Sequence, residues 1–574
     1  MRTALAAFAS LAFCAAAFGQ WPTSSSTPLA IGDGEGEQNQ SLLAVAPDGS
    51  TYVMWHDNRP PGGYNPTIQR LNAAGVEQWA HNGLTLADTT YTATLTYIAL
   101  SVDSSGNAIA AYGDNSSGTF QVAVQKISPA GVKLWGPNGV AIPNSASATG
   151  VKVTSVANGD VVVGFTANGG HIQRIGPNGE LVGAMLDVVE TGHVVFVSEL
   201  RGSTNGAFVA LFTRSFGTNY QTTAKYLYVQ KYDVNNVPQW PTDAGAIGSL
   251  LYGPTGAPYT AQGGSIQSGT FPTFVSDGAG GAVFSWYETG GYRKNFVQHV
   301  RPNGALRYPA PGLPASPRYF TGPGTLPAAA TIGLDISADY LPVTDEIVAT
   351  WRETNNGAQS NDTVYAQKFG GGDGNAETLL WGADGVVVRP TLVSSGTSHT
   401  QPSIITTRAA LGGCYSVWIV GLSNSDSLVQ GQRIKSGGDA AWNNGEPLTI
   451  SSEGGYRTNR MGAGVLSSGS LVVSYSNSPD ISSSNADLYI QHVTRDGEFT
   501  GDSCTAADVA GLGGSVGPDG ALTADDLIVY LDAFFSNNLA VADIASLGGG
   551  AGADGQLTAD DLIYFLGQFF TGCN

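Results

Sequence analysis

The side chains best suited to chemistry in this sequence are carboxylates two residues after an aromatic: Trp55-His56-Asp57, Tyr112-Gly113-Asp114, Trp286-Tyr287-Glu288 and Trp351-Arg352-Glu353. An acid beside a ring can hold sugar hydroxyls or a cation, the ring supplying an apolar face and the acid the hydrogen bonds. A plainer role is open to the same residues. The acids can cap turns and pair with bases such as Arg59, while the aromatics pack between layers. We favour the plainer role, because the phrase recurs in about every second unit of a repeating chain, whereas a catalytic group is normally unique. The seven His are scattered, and His299 and His492 occupy an ordinary basic slot, so neither signals a metal or a base. The sequence contains no nucleophile elbow, phosphate loop or zinc spacing.

The elements that would carry these acids are set out by a repeated phrase: an apolar or small residue, Gln, a basic residue, then an apolar one. Its Gln is found at 69, 125, 173, 230, 298, 367, 432 and 491, with spacings of 48 to 69 residues. Alternation puts the Gln on one face of a half-buried strand and its apolar neighbours on the other. Most copies then turn on Gly or Asn and resume with an aromatic ten residues after the Gln: Trp79, Trp135, Trp240, Tyr308 and Trp442. Trp381 is displaced by an insertion, and the third unit has no such aromatic. An earlier hairpin precedes each phrase, such as Pro47-Asp48-Gly49 leading into Tyr52-Val53-Met54-Trp55, so each unit holds about four short strands.

The composition agrees with an all-β chain, combining 78 Gly and 23 Tyr with only 12% charged residues. A net charge of −20 argues against binding nucleic acid or anionic lipid, both of which need clustered Lys and Arg. At the N-terminus, Arg2 precedes an apolar run from Ala4 to Phe18 and a small-residue exit. These features predict a secretory signal peptide over 1–19, cut after Gly19, and hence an exported protein. The run is too short to span a membrane, which takes about 20 apolar residues.

Eight four-stranded units can close into a ring or stack as a solenoid, and the termini favour the ring. The eighth unit ends after Phe499 without the closing segment that the seventh has from Trp442 to Ile450. The mature N-terminus supplies a similar one, Trp21 followed by Pro28-Leu29-Ala30-Ile31. We therefore expect a β-propeller over 20–500, of eight blades, with the N-terminal strand completing the last; a seven-bladed ring or two smaller rings are the alternatives. The Gln-basic strand followed by Trp before an Asn-Gly or Asp-Gly turn resembles exported bacterial propeller-like proteins, a likeness that implies a fold and no single activity. A sialidase-like reading fails on its repeat, since Ser101-Val102-Asp103-Ser104-Ser105-Gly106 has the wrong spacing and no Trp after it.

Beyond Gly501 a second repeat begins, with a period of 35 residues. Asp519-Gly520-Ala521-Leu522-Thr523-Ala524-Asp525-Asp526 matches Asp554-Gly555-Gln556-Leu557-Thr558-Ala559-Asp560-Asp561. Each copy runs on into an amphipathic helix, with Leu527, Ile528, Leu531, Phe534 and Phe535 forming one apolar stripe and Leu562, Ile563, Leu566, Phe569 and Phe570 the other. Within this module, 501–574, the stretch Cys504 to Asn574 is similar to a dockerin, specifically the GC-type dockerin-like anchoring module. The resemblance implies EF-hand-like calcium loops with Asp519, Thr523 and Asp526 as ligands in one copy and Asp554, Thr558 and Asp561 in the other. Positions 1 and 3 of those loops would be Ser515 and Gly517, and Gly550 and Gly552, so two carboxylates per loop are lost. The same phrases also read as helix capping boxes, Thr523 to Asp526 and Thr558 to Asp561. Cys504 and Cys573 bracket the module and are expected to pair in an oxidising compartment, leaving Cys414 as a buried free thiol.

The sequence thus leads to a non-catalytic binding or structural propeller, held to a cohesin-like or cell-surface protein by its C-terminal module. The alternative is a carbohydrate-active enzyme or lectin in a dockerin-anchored extracellular assembly.

Overall fold

The computed structural model describes residues 21–571 apart from 60–61, 91–96, 221, 243–246, 254–264, 267–272, 289–292, 320–325, 356–360, 371–377, 394–403, 410–411, 424, 481–484, 500–506, 512–514, 517–521, 547–549 and 552–554. The segment 1–19, Asp519, Asp554, Cys504 and Cys573 therefore lie outside the described residues.

Alternating apolar residues and Gly-centred turns fold each unit into an antiparallel sheet whose strands pair in chain order. The first blade contains Gln38–Val45, Thr51–Asp57, Asn65–Leu71 and Leu84–Thr85. Eight such blades are present, and their first strands contact one another in cyclic order around a central axis. The eighth comprises Tyr456–Val465, Leu471–Ser478, Asp487–Val493 and, as its outermost strand, Leu29–Gly32. In that pairing Leu29 lies opposite Ile490 and Ala30 opposite Tyr489, so the N-terminal strand closes the ring as expected.

The repeated Gln and Trp explain why the blades take this form. The side chain of the strand-3 Gln is buried, and its carbonyl oxygen accepts the backbone N–H of the aromatic that opens the fourth-strand segment, at Trp79, Trp135, Trp240, Tyr308, Trp381 and Trp442 (2.8–3.3 Å). In the eighth copy Gln491 instead donates to the carbonyl of Ser24, on the N-terminal segment (2.9 Å). Each Trp then reaches the next blade. The indoles of Trp79, Trp135, Trp240, Trp381 and Trp442 donate to carbonyls of its strand-3 turn (2.9–3.2 Å). Trp21 makes the same bond to Ala73 of the first blade (2.7 Å) and lies against Gly75. With φ of +82° and a Cβ position 2.6 Å from the indole, Gly75 could not be another residue without strain.

Two blades depart from the pattern. The third, lacking the aromatic, buries Arg174 instead. Its guanidinium bonds Asp160 (3.2 Å) and the carbonyls of Gly206 (3.0 Å) and Asp233 (3.2 Å), the last two on the next blade. The sixth has five strands, because the pairing that is a single bridge elsewhere, such as Leu71 with Glu77, is here the two-residue strand Thr378–Leu379 opposite Phe369 and Gly370. Its regular outer strand is Val386–Val393.

The C-terminal segment forms α1 (Ala524–Phe535), the short α2 (Leu539–Ala542) and α3 (Ala559–Thr571) around a core of its own. Tyr530 stacks on Phe565 at its centre, ring centroids 3.7 Å apart. Among the described residues no helix is long and apolar enough to cross a membrane.

Candidate functional site

The aromatic-acid phrases end the second strands of their blades, and each acid finds its partners locally. Asp57 pairs with Arg59 (2.8 Å) and accepts from the Trp55 indole (3.3 Å), while Asp114 caps the N–H of Ser116 (2.8 Å). Glu353 takes the Trp351 indole (2.7 Å) and the Nε and Nη2 of Arg318 (2.9 and 3.0 Å). Glu288 accepts from the Tyr252 hydroxyl (2.8 Å) and is only 2% exposed. Burial pushes the Glu288 carboxyl up, an effect only partly offset by the Tyr252 bond and Lys294. Trp55, Trp286 and Trp351 are fully buried. Asp57, Asp114 and Glu353 thus take the turn-capping and ion-pairing roles favoured for the phrases, whereas Glu288 is buried against a tyrosine of the neighbouring blade, and no two of the acids share a partner.

A different set of side chains faces open space. The first strands of all eight blades line a central channel that encloses a cavity of ≈ 420 Å³, within the range of small-ligand sites. Much of its wall is aliphatic, from residues such as Leu42, Ile98, Val153, Ile336 and Ile404. Blades three and four add charge: Glu199 pairs with Arg201 (2.9 Å) and, more loosely, with Lys152 (3.9 Å). The Arg201 guanidinium lies 6.0 Å from the centre of the Phe274 ring, which also lines the cavity. On blade six, Asp339 accepts the backbone N–H of Arg408 (2.8 Å), and burial raises its carboxyl pKa. Hydroxyls stitch neighbouring first strands together, as from Ser155 N–H to Ser101 (3.2 Å), Gly202 N–H to Thr154 (2.9 Å) and Thr406 N–H to Ser337 (2.9 Å). The channel wall thus mixes aliphatic side chains with hydroxyls such as Ser41, Ser337 and Thr406 and has an ionic cluster on one side, an arrangement suited to orienting a ligand that has both apolar and polar parts.

The C-terminal helices begin as the repeat suggested. Thr523 caps α1 in a complete capping box with Asp526, and Asp561 accepts from the Thr558 N–H (2.8 Å) in the second copy. The expected single stripe is split, however. Tyr530 and Ala533 are buried, whereas Ile528 is 63% and Phe535 79% exposed. Their equivalents in α3, Ile563 and Phe570, are 66% and 78% exposed. The reason is angular: positions 528 and 535, seven apart, share one side of the helix and positions 530 and 533 the other.

No family model matches the chain, and no curated protein matches its sequence. Solved structures similar to it include the Dos1 propeller, at 11% identity and a TM-score of 0.42, covering 83% of this chain and 98% of that one. Others are a lectin from Burkholderia pseudomallei (12%, TM-score 0.40, 81% and 98% covered) and the polysaccharide lyase Uly1 (9%, 0.39, 80% and 90%). The eight-bladed ring stands on its own strand pairing and not on these likenesses.

Of the residues singled out in the sequence, Thr523, Asp526, Thr558 and Asp561 sit at the starts of α1 and α3, and Cys414 is a fully buried free thiol. Sequence reasoning missed Lys152, Glu199, Arg201 and Asp339. The sequence does carry a signal for them: in the first strands of the repeats these charges stand where blades one and two have apolar residues such as Leu42, Leu43 and Leu100.

Proposed function

We propose that this chain is an exported, non-catalytic binding propeller that takes its ligand in the central channel and is attached to a partner protein or the cell surface by its dockerin-like C-terminal module. The commitment of the aromatic-acid carboxylates carries this reading: Asp57, Asp114, Glu288 and Glu353 each serve their own turn, indole, tyrosine or arginine. Lys152, Glu199, Arg201 and Asp339, by contrast, line the central cavity. Attachment is supported by the duplicated, outward Ile528 with Phe535 and Ile563 with Phe570, two equivalent apolar patches of the kind that mark protein interaction sites. A cohesin-like or cell-surface protein is the partner such a module would take.

The reading is tested on the full chain by calorimetry against soluble glycans and small carboxylated ligands, with turnover assayed in parallel. Saturable binding without turnover is expected, weakened roughly tenfold by Arg201→Ala through loss of a charged contact and unchanged by Glu288→Gln. Cleavage of a glycan that disappears in Asp339→Asn or Glu288→Gln would overturn it in favour of a carbohydrate-active enzyme, since burial raises both carboxyls and Asp339 lines the channel.

A further inference from the structure

One carboxylate ties together each half of the C-terminal module. Asp526 Oδ1 accepts the backbone N–H groups of Val509 (2.9 Å) and Ala510 (2.8 Å), and its Oδ2 accepts the N–H (2.8 Å) and hydroxyl (3.3 Å) of Thr523. In the second copy Asp561 takes the N–H groups of Ile544 and Ala545 (both 2.9 Å), then the N–H (2.8 Å) and hydroxyl (3.3 Å) of Thr558. Both side chains are fully buried. The same four bonds recur in the two copies of the repeat.

A carboxylate offers about four lone-pair directions, and here all four are filled. The last ligand of an EF-hand-like loop must instead turn both oxygens on the ion. Asp526 and Asp561 do not fit that task as placed, and the sequence supplies no carboxylate at loop positions 1 and 3, where Ser515, Gly517, Gly550 and Gly552 stand. What a bound calcium would accomplish, drawing the entry segment onto the start of the helix, these two side chains already do. The donors at 509–510 and 544–545 lie 16 or 17 residues before their acceptor. A buried carboxylate held by several N–H donors keeps its charge at little cost, and such charge-assisted bonds are strong.

We propose that Asp526 and Asp561 are metal-independent staples, and that the module folds and keeps its shape without calcium. The proposal stands whether or not the module docks to a partner. It is tested on the full chain by amide hydrogen exchange with mass spectrometry, in calcium chloride and in chelator, with thermal unfolding alongside. Exchange across 507–511 and 542–546 should be equally slow in both, and the module should unfold at the same temperature. Asp526→Asn should speed exchange in the first segment roughly tenfold or more while sparing the second, and Asp561→Asn should do the reverse. Saturable calcium binding that slows exchange in wild type, and is lost in Asp526→Asn, would overturn the proposal. Should either variant fail to fold, the wild-type comparison of calcium with chelator decides the question alone.

Discussion

At the scale of single residues the ring is held by a Trp that passes from blade to blade. Trp21 shows the arrangement at the point where it matters most, because its indole joins the last blade to the first through Ala73 and stacks on His492, ring centroids 5.0 Å apart. Trp21→Ala should destabilise the propeller by about 3–5 kcal/mol, the range for truncating a buried Trp, in denaturant unfolding of the full chain. Gly75→Ala, which pushes a methyl into the same indole, should lower stability by roughly 1–3 kcal/mol through overpacking and a strained φ. A second residue at the seam responds to pH. His81 bonds Asp33 of the incoming N-terminal segment and Glu77 of its own blade (both 2.9 Å). Partial burial disfavours its charge, but the bonds to Glu77 and Asp33 outweigh this and raise its pKa above the usual 6.5. Its contribution to stability is therefore full below the unfolded-state pKa and is lost as pH rises through the folded one. Melting temperatures of wild type and His81→Gln, compared between about pH 5.5 and about pH 8.5, should differ in the acidic samples and converge in the alkaline ones. A difference that holds constant across the range would show that the histidine acts without its proton.

At the scale of elements, the strands were legible because their period and turn residues agree. The Gln phrase marked all eight third strands, and the unpaired ends of the sequence pattern foretold the closing strand Leu29–Gly32. Less visible was what depends on neighbours in space. The fifth strand of the sixth blade arises from an insertion whose effect on pairing has no local sequence mark, and the exposure of Ile528 and Phe535 follows from the Tyr530 side of their helix being the one that packs on Phe565. The channel charges escaped notice for a related reason: Lys152, Glu199, Arg201 and Asp339 come from three blades, and only closure of the ring makes them face one cavity. The closing strand yields a prediction at this scale. Removing residues 21–32 leaves the eighth blade with an open edge, a surface prone to pair with other chains. Size-exclusion chromatography should show association that the intact chain does not.

At the scale of the whole molecule, acidity and shape act together. Half of the net charge of −20 lies in residues 501–574, which hold ten Asp and no Glu, Lys or Arg, and the other half in residues 1–500, so like copies repel through both parts, while the module, with a core of its own, also presents two apolar patches. The closure of the ring also sets an order of events in time. Leu29–Gly32 is synthesised before any other strand of the propeller, yet its partner Asp487–Val493 is the last. The first strand made must therefore wait unpaired for almost the whole chain, and such a distant meeting is slow for entropic reasons. Every other blade can be finished by residues close along the chain, so the rate at which this protein becomes a ring is set by one encounter between its two ends.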